Sequence, residues 1–161
     1  MKKTNAMRIL DKLKIAYEAK EYEDNEDHKL ELGAAERVAK KVGANPGQVF
    51  KTIVMKSEAN EVFVFCQNAL NQINLKKARF VAGVKSLESV KPEKLQALTG
   101  YVRGGCSPLG MRKIYTTFID KSALEYDSIF ISGGQRGIQI TINPNDLAKA
   151  INAQFCDLVL D

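Results

Sequence analysis

The chain has 161 residues, 45% of them hydrophobic and 27% charged, with a formal net charge of +5; this fits one soluble globular domain, 1–161, with a sizeable core. No apolar run approaches the ~20 residues of a membrane span, so no membrane association is expected. Cys66, Cys106 and Cys156 are dispersed and His28 is the sole histidine, which argues against a disulfide framework and a four-ligand zinc site.

Thr4 is placed to cap a helix whose Ala6, Ile9, Leu10 and Leu13 share one face. Charges at Arg8, Asp11, Lys12 and Lys14 interrupt that segment, so it does not read as a signal peptide, and a cytoplasmic location is expected. Residues 17–33, "YEAKEYEDNEDHKLELG", are polar and predict an extended piece and a loop. "AAERVAKKVG" predicts a helix stopped by Gly43, and "NPGQ" a turn.

"QVFKTIVM" and "EVFVFCQN" predict two strands joined by the polar "KSEAN". "NLKKARFVAG" predicts a helix from an Asn74 cap to Gly83, and "KPEKLQALTG" another, with Pro92 in its first turn and Gly100 at its end. The loop "TGYVRGGCSPLGMRK", 99–113, follows. "KIYTTFID" and "SIFIS" read as strands, "GGQRG" as a tight turn, "IQITI" as an alternating strand and "NPNDLAKAINA" as a closing helix. Short connections favour antiparallel pairing, so the fold class is α+β, or mixed α/β, without repeats or linkers.

Four features have residue types suited to chemistry. Lys51 shares a strand face with Val49, Ile53 and Met55. It is either an edge lysine snorkelling to water or a cation at a pocket mouth, aimed at a phosphate or an oxyanion. In "GGCSPLG", Gly104 and Gly105 let backbone N–H groups approach a ligand, and Pro108 stiffens the turn; a plain glycine-rich connection is the alternative. "SGGQRG" lacks the lysine and helix of a P-loop, which excludes nucleotide hydrolysis and leaves a hairpin turn with Arg136 free to meet a phosphate. Cys106 reads as a small buried hydrophobe rather than a nucleophile.

"QVFKTIVM", "INLKKARFVAGVKSLE", "TGYVRGGCSPLG" and "FISGGQRG" occur in the order and spacing of the YbaK/EbsC aminoacyl-tRNA deacylases, relatives of the editing domain of bacterial prolyl-tRNA synthetase. The flanking "AMRILDKLKIAYEAKEYE" and "NPNDLAKAINAQFCDLVL" are similar too, so the resemblance spans essentially the whole chain. It implies a largely antiparallel mixed sheet curled into a partly open barrel with helices outside. It also implies clearance of a wrong amino acid from charged tRNA, most closely cysteine from tRNA for proline, with no cofactor and with prolyl-tRNA synthetase as partner.

On that resemblance, Lys51 and Gly104 are the catalytic positions. Tyr22, Thr52, Tyr101, Gly105, Ser107, Pro108, Ser132, Gly133, Gly134 and Arg136 are the substrate-binding ones. In the cysteine type the substrate's own thiol is thought to attack its carbonyl, which requires no protein nucleophile. A sister type clears alanine with an activated water, and a non-catalytic tRNA- or protein-binding module is a further alternative. Cys106 stands where relatives carry an aliphatic residue, and "DNEDHKLELG" departs most from the family pattern. Lys76, Lys77, Arg79, Lys85, Arg112 and Lys113 are candidates for phosphate contact.

Overall fold

The structure, a computed structural model, describes residues 1–25 and 33–160. His28 and most of the charged loop expected after Tyr22 lie outside the described residues. In chain order the described elements are α1 (Asn5–Leu13), β1 (Glu18–Glu21), α2 (Ala34–Val42), β2 (Phe50–Ser57), β3 (Val62–Asn68), α3 (Leu75–Ala82), β4 (Leu87–Ser89), α4 (Pro92–Thr99), β5 (Thr116–Asp120), β6 (Ile129–Ser132), β7 (Ile138–Ile142), α5 (Pro144–Ile151) and β8 (Gln154–Cys156). Short 3-10 turns at Pro46–Gln48 and Lys121–Glu125 precede β2 and follow β5. Among the described residues no helix is long and apolar enough to cross a membrane.

The strands form two sheets, ordered β1-β7-β6 and β4-β2-β3-β5-β8. The first is antiparallel throughout. In the second, β2 pairs antiparallel with β3 and β4, while β3–β5 and β5–β8 are parallel. A parallel bridge between Val49 and Phe130 joins the two sheets where β2 begins. The mixed α+β class holds, but the single sheet expected to curl into a partly open barrel is instead two open sheets, not closed into a barrel, that meet at that seam.

The sequence signals that start and stop the helices act as expected. Thr4 caps α1, its hydroxyl accepting from the Met7 N–H at 3.3 Å while donating to the Gly133 carbonyl at 2.5 Å. One threonine therefore ties the first helix to the β6–β7 turn. Asn74 and Asn143 cap α3 and α5 by accepting two N–H bonds each, and Gly43, Gly83 and Gly100 close α2, α3 and α4 in the left-handed conformation.

Burial follows the two sheets. Between them lies the main core, with Phe50, Val54, Val64, Ile131, Ile140 and Ile142 meeting Ala6, Met7 and Leu10 of α1 and Leu147 of α5. Each such large side chain contributes roughly 1.5–3 kcal/mol. Leu13, assigned from periodicity to the apolar face of α1, is instead 48% exposed, and Met7 is buried. The helix ends one turn past its buried stripe, at a left-handed Lys14, so Leu13 has nothing to pack on. A second cluster, with Phe65 and Phe118 stacked at 5.7 Å, fills the opposite face of the five-stranded sheet. A third packs Val38, Ala39 and Val42 of α2 on Val49 and Phe130, directly over the seam.

Asp120 anchors the end of β5. It is 1% exposed, and its carboxylate accepts from the Leu158 N–H at 2.8 Å and the Ser122 N–H at 3.1 Å. Replacing Asp120 with Ala leaves the buried Leu158 N–H unpaired, so Asp120→Ala is expected to cost ~1–3 kcal/mol in urea denaturation. An unchanged midpoint would contradict this account of how the C-terminal strand is held.

Candidate active site

Beside the Val49–Phe130 seam the chain encloses a cavity of ≈80 Å3. Its floor is the start of β2, Val49 through Thr52. One wall is the first turns of α2, with Ala34, Ala35 and Val38; Ala69, just after β3, is another. The three-stranded sheet contributes Ser132 and Gln139, the end of β1 contributes Tyr22, and the glycine loop brings in Gly104 and Cys106. A second cleft of ≈340 Å3 shares Thr52, Gly104 and Cys106 with this cavity and runs on past Ile53, Val90, Pro92 and Leu95 to Arg103. The two spaces adjoin across the loop.

Five of the twelve residues singled out from sequence line the cavity: Tyr22, Lys51, Thr52, Gly104 and Ser132. Lys51 is half-buried, and among the described residues no acceptor or carboxylate meets its ammonium. Burial alone pulls its pKa below the ordinary 10.5. β3 runs along the whole of β2 on one side, but β4 covers only Met55–Ser57 on the other, so Lys51 lies on a stretch with one unpaired edge, as an edge lysine would. Thr52 sits 3.9 Å from the Cys66 sulfur across the β2–β3 pair. Gly104 has φ +84°, and its N–H has no acceptor among the described residues. Ser132 accepts from the Gly134 N–H at 3.2 Å, leaving its own hydroxyl proton uncommitted.

The other seven do not line the cavity; they build the frame behind it. Tyr101, expected in the pocket, is buried with its hydroxyl donating to the Leu109 carbonyl at 2.6 Å. That bond spans the loop and turns the phenol away from the cavity. Ser107 is fully buried and accepts from the Leu109 N–H at 3.2 Å. Pro108 lines a separate hollow with Ile9 and Ile151. Gly105 lies so close to Gln135 and Arg136 that a Cβ would sit 3.0 Å from the Arg136 nitrogen. A Cβ on Gly133 would come within 2.5 Å of Ile138, and Gly134 lies against Tyr101 and Thr4. Arg136, expected to reach phosphate, donates through Nε to the Arg103 carbonyl at 2.9 Å and so clamps the β6–β7 turn to the loop.

Sequence reasoning missed Gln139, the three alanines and the place of Cys106 in the wall. Alanine at a helix start carries no chemical signal, and Gln139 reads as the polar partner in an alternating strand. Cys106 is 9% exposed, and burial pushes its thiol up to about 12, so it is not ionised near neutrality.

A model of the aminoacyl-tRNA editing domain family matches residues 31–150. A protein of Enterococcus faecalis named "Putative Cys-tRNA(Pro)/Cys-tRNA(Cys) deacylase EbsC" is 36% identical over 97% of this chain and 93% of its own length. The uncharacterized protein YwhH of Bacillus subtilis is 23% identical over 78% of this chain and 81% of its own. A solved structure described as "a putative trans-editing enzyme for prolyl tRNA synthetase" superposes with a TM-score of 0.82 at 24% identity, covering 100% of both chains. The chain belongs to the aminoacyl-tRNA editing domain family, and the resemblance to the aminoacyl-tRNA deacylases drawn from its four motifs is borne out.

An unpaired, half-buried cation leaves a signature in stability. The folded state holds the Lys51 proton less tightly than the unfolded chain does, so the penalty is full at neutral pH. It fades as pH rises through the lowered folded pKa towards 10.5. Lys51→Met is therefore expected to melt higher than wild type at pH 7, with the gap narrowing by pH 10. A gap independent of pH would show that the ammonium is solvated or paired.

Proposed function

We propose that the chain is a trans-acting deacylase that clears cysteine from mischarged tRNA, with Cys-tRNA(Pro) as substrate and Cys-tRNA(Cys) accepted by the same pocket. The observation that carries this reading is the unpaired Lys51 in the lining of a small cavity walled by Ala34, Ala35 and Ala69. A cavity of that size suits a small amino acid and not a nucleoside, while the adjoining cleft gives the terminal nucleotide room on the other side of Gly104.

An aminoacyl ester is already activated, so the enzyme's task is to place the carbonyl and stabilise the charge that develops on its oxygen. The free N–H of Gly104 is the donor for that oxygen. Lys51 is the cation that orients the ester or the terminal phosphate. The substrate thiol then attacks its own carbonyl carbon. A carbon–sulfur bond forms, the ester carbon–oxygen bond breaks, and the thiol proton passes to the departing ribose oxygen. The cyclic thiolactone so released is opened by water to free cysteine. Tyr22, Thr52 and Ser132 line the pocket, and the seven residues behind them keep the loop and turn in place.

Prolyl-tRNA synthetase is the proposed partner that supplies tRNA selection. One missing methylene is worth only about 1–3 kcal/mol, so a small apolar pocket separates small side chains poorly. Exposed Lys76, Lys85, Arg112 and Lys113 remain available for phosphate, and Arg79 is half-buried. Lys77 is committed to Asp157 and the Val159 carbonyl, each at 2.9 Å.

Release of labelled amino acid from Cys-tRNA(Pro) and Ala-tRNA(Pro) tests the reading. Wild type is expected to discharge cysteine, and Lys51→Ala to lose roughly 10²-fold or more, the scale of one removed oxyanion-type donor. Discharge of alanine instead would move the chain to water-mediated hydrolysis. Salt-sensitive tRNA binding without discharge would make it a binding module.

Cys106→Ser is expected to retain most of the cysteine-releasing activity in the same assay, since the thiol is a wall and not the nucleophile. Complete loss, in a variant that still folds, would overturn the substrate-thiol mechanism.

A further inference from the structure

Gln139 sits at the middle of the three-stranded sheet, paired with Lys20 of β1 on one side and Ser132 of β6 on the other. Ile138 and Ile140, its neighbours in β7, point into the main core, so alternation sends Gln139 to the opposite face, where it lines the cavity. It is 8% exposed, and its Oε1 is buried without a hydrogen-bond partner. Neither end of its carboxamide is bonded among the described residues. Gln67 is a useful contrast. It too has an orphaned Oε1, but its Nε2 is fixed on the Asn71 carbonyl at 2.8 Å, and it does not line the cavity.

A buried acceptor left unpaired is unfavourable, and an unanchored amide facing a cavity is free to rotate and present either end. What the cavity offers a ligand is otherwise unbalanced. Lys51 and the Gly104 N–H are donors, suited to the carbonyl oxygen of an ester. No carboxylate is among the described residues of its lining; the Ser132 and Thr52 hydroxyls can also accept, but the Gln139 Oε1 is the one side-chain acceptor of the described lining that is buried with no partner. An aminoacyl ester brings a strong donor as well, its α-amino group, and that donor has to meet an acceptor when it leaves water.

Resting on the deacylase reading above, we infer that Gln139 is the residue that recognises the substrate's α-amino group. Its Oε1 accepts a hydrogen bond from that group, which pins the amino acid at one end of the cavity and holds the carbonyl between Lys51 and Gly104. A neutral amide does this for the amine whether it is protonated or not. An acyl group whose nitrogen is blocked, as in a formylated or peptidyl ester, satisfies the acceptor less well and is spared.

The test is a cycle between Gln139 and the substrate nitrogen, read with wild type, Gln139→Leu and Gln139→Glu on Cys-tRNA and N-acetyl-Cys-tRNA. Wild type is expected to prefer the free amine by about tenfold or more in kcat/KM, the worth of one hydrogen bond to a charged group, mostly through KM. Gln139→Leu should lose that preference while keeping its rate on the acetylated ester, and Gln139→Glu should restore it. In the absence of substrate Gln139→Leu should melt at or above wild type, because it removes an unpaired buried oxygen. A leucine variant that loses both substrates in equal proportion, keeps the full preference or melts lower than wild type overturns the amine role and leaves the deacylase intact. A wild type that cleaves neither ester overturns the deacylase reading, and the amine role falls with it.

Discussion

The bridge between Val49 and Phe130 holds the two sheets together, and immediately beside it the strands part. Everything distinctive about the site follows from that divergence. Lys51 and Thr52 pair with β3 on one edge, and a ladder that continued past the bridge would pair their other edge as well. Because the sheets separate there, the start of β2 faces a gap instead, and α2 closes it from outside with two alanines and a valine. The valine-rich side of α2 packs on the seam itself, so the contact that stabilises the junction also roofs the cavity.

The cavity is built from groups the protein leaves unsatisfied. The Lys51 ammonium has no counter-ion, the Gly104 N–H no acceptor and the Gln139 carboxamide no partner, among the described residues. A buried polar group without a partner is unfavourable in the free protein, and outside the cavity the Gln67 Oε1 and Thr141 Oγ1 are orphaned as well; other buried polar side chains are bonded. Asp120, Thr99 and Tyr101 are as buried as Gln139, and all have hydrogen bonds to their side chains. Unpaired polar groups collected in one place are a mark of function, since a binding site has to keep its bonding capacity for the ligand.

Local chemistry made much of the fold readable. Thr4, Asn74, Asn143 and the closing glycines act within one helical turn, so the sequence carries those boundaries by itself. The β2–β3 hairpin was legible for the same reason: two alternating runs and a short polar link. β4 and β8 were not, because strands of three residues exist only by virtue of the sheet edge they complete. The parallel pairing of β3 with β5 was hidden too, since the sequence between them holds a helix, a strand and another helix. In the site, Lys51 stood out as a charge inside an apolar run. Gln139 did not, because a polar residue alternating with isoleucines looks the same whether it meets solvent or a cavity.

Family motifs mark more than contact residues, and the glycine loop shows why. Only Gly104 and Cys106 of it reach the cavity, while Tyr101, Gly105, Ser107 and Pro108 are packed behind. Tyr101 braces the loop internally through Leu109, Arg136 holds it to the β6–β7 turn, and Thr4 holds that turn to α1. The closeness of this stacking by itself calls for glycine at 105 and 133. An N–H stabilises a developing oxyanion well only if it is already in position when the charge appears. On the proposed reaction the frame residues serve that end: they fix one amide in space, and a substitution among them would act through the position of Gly104.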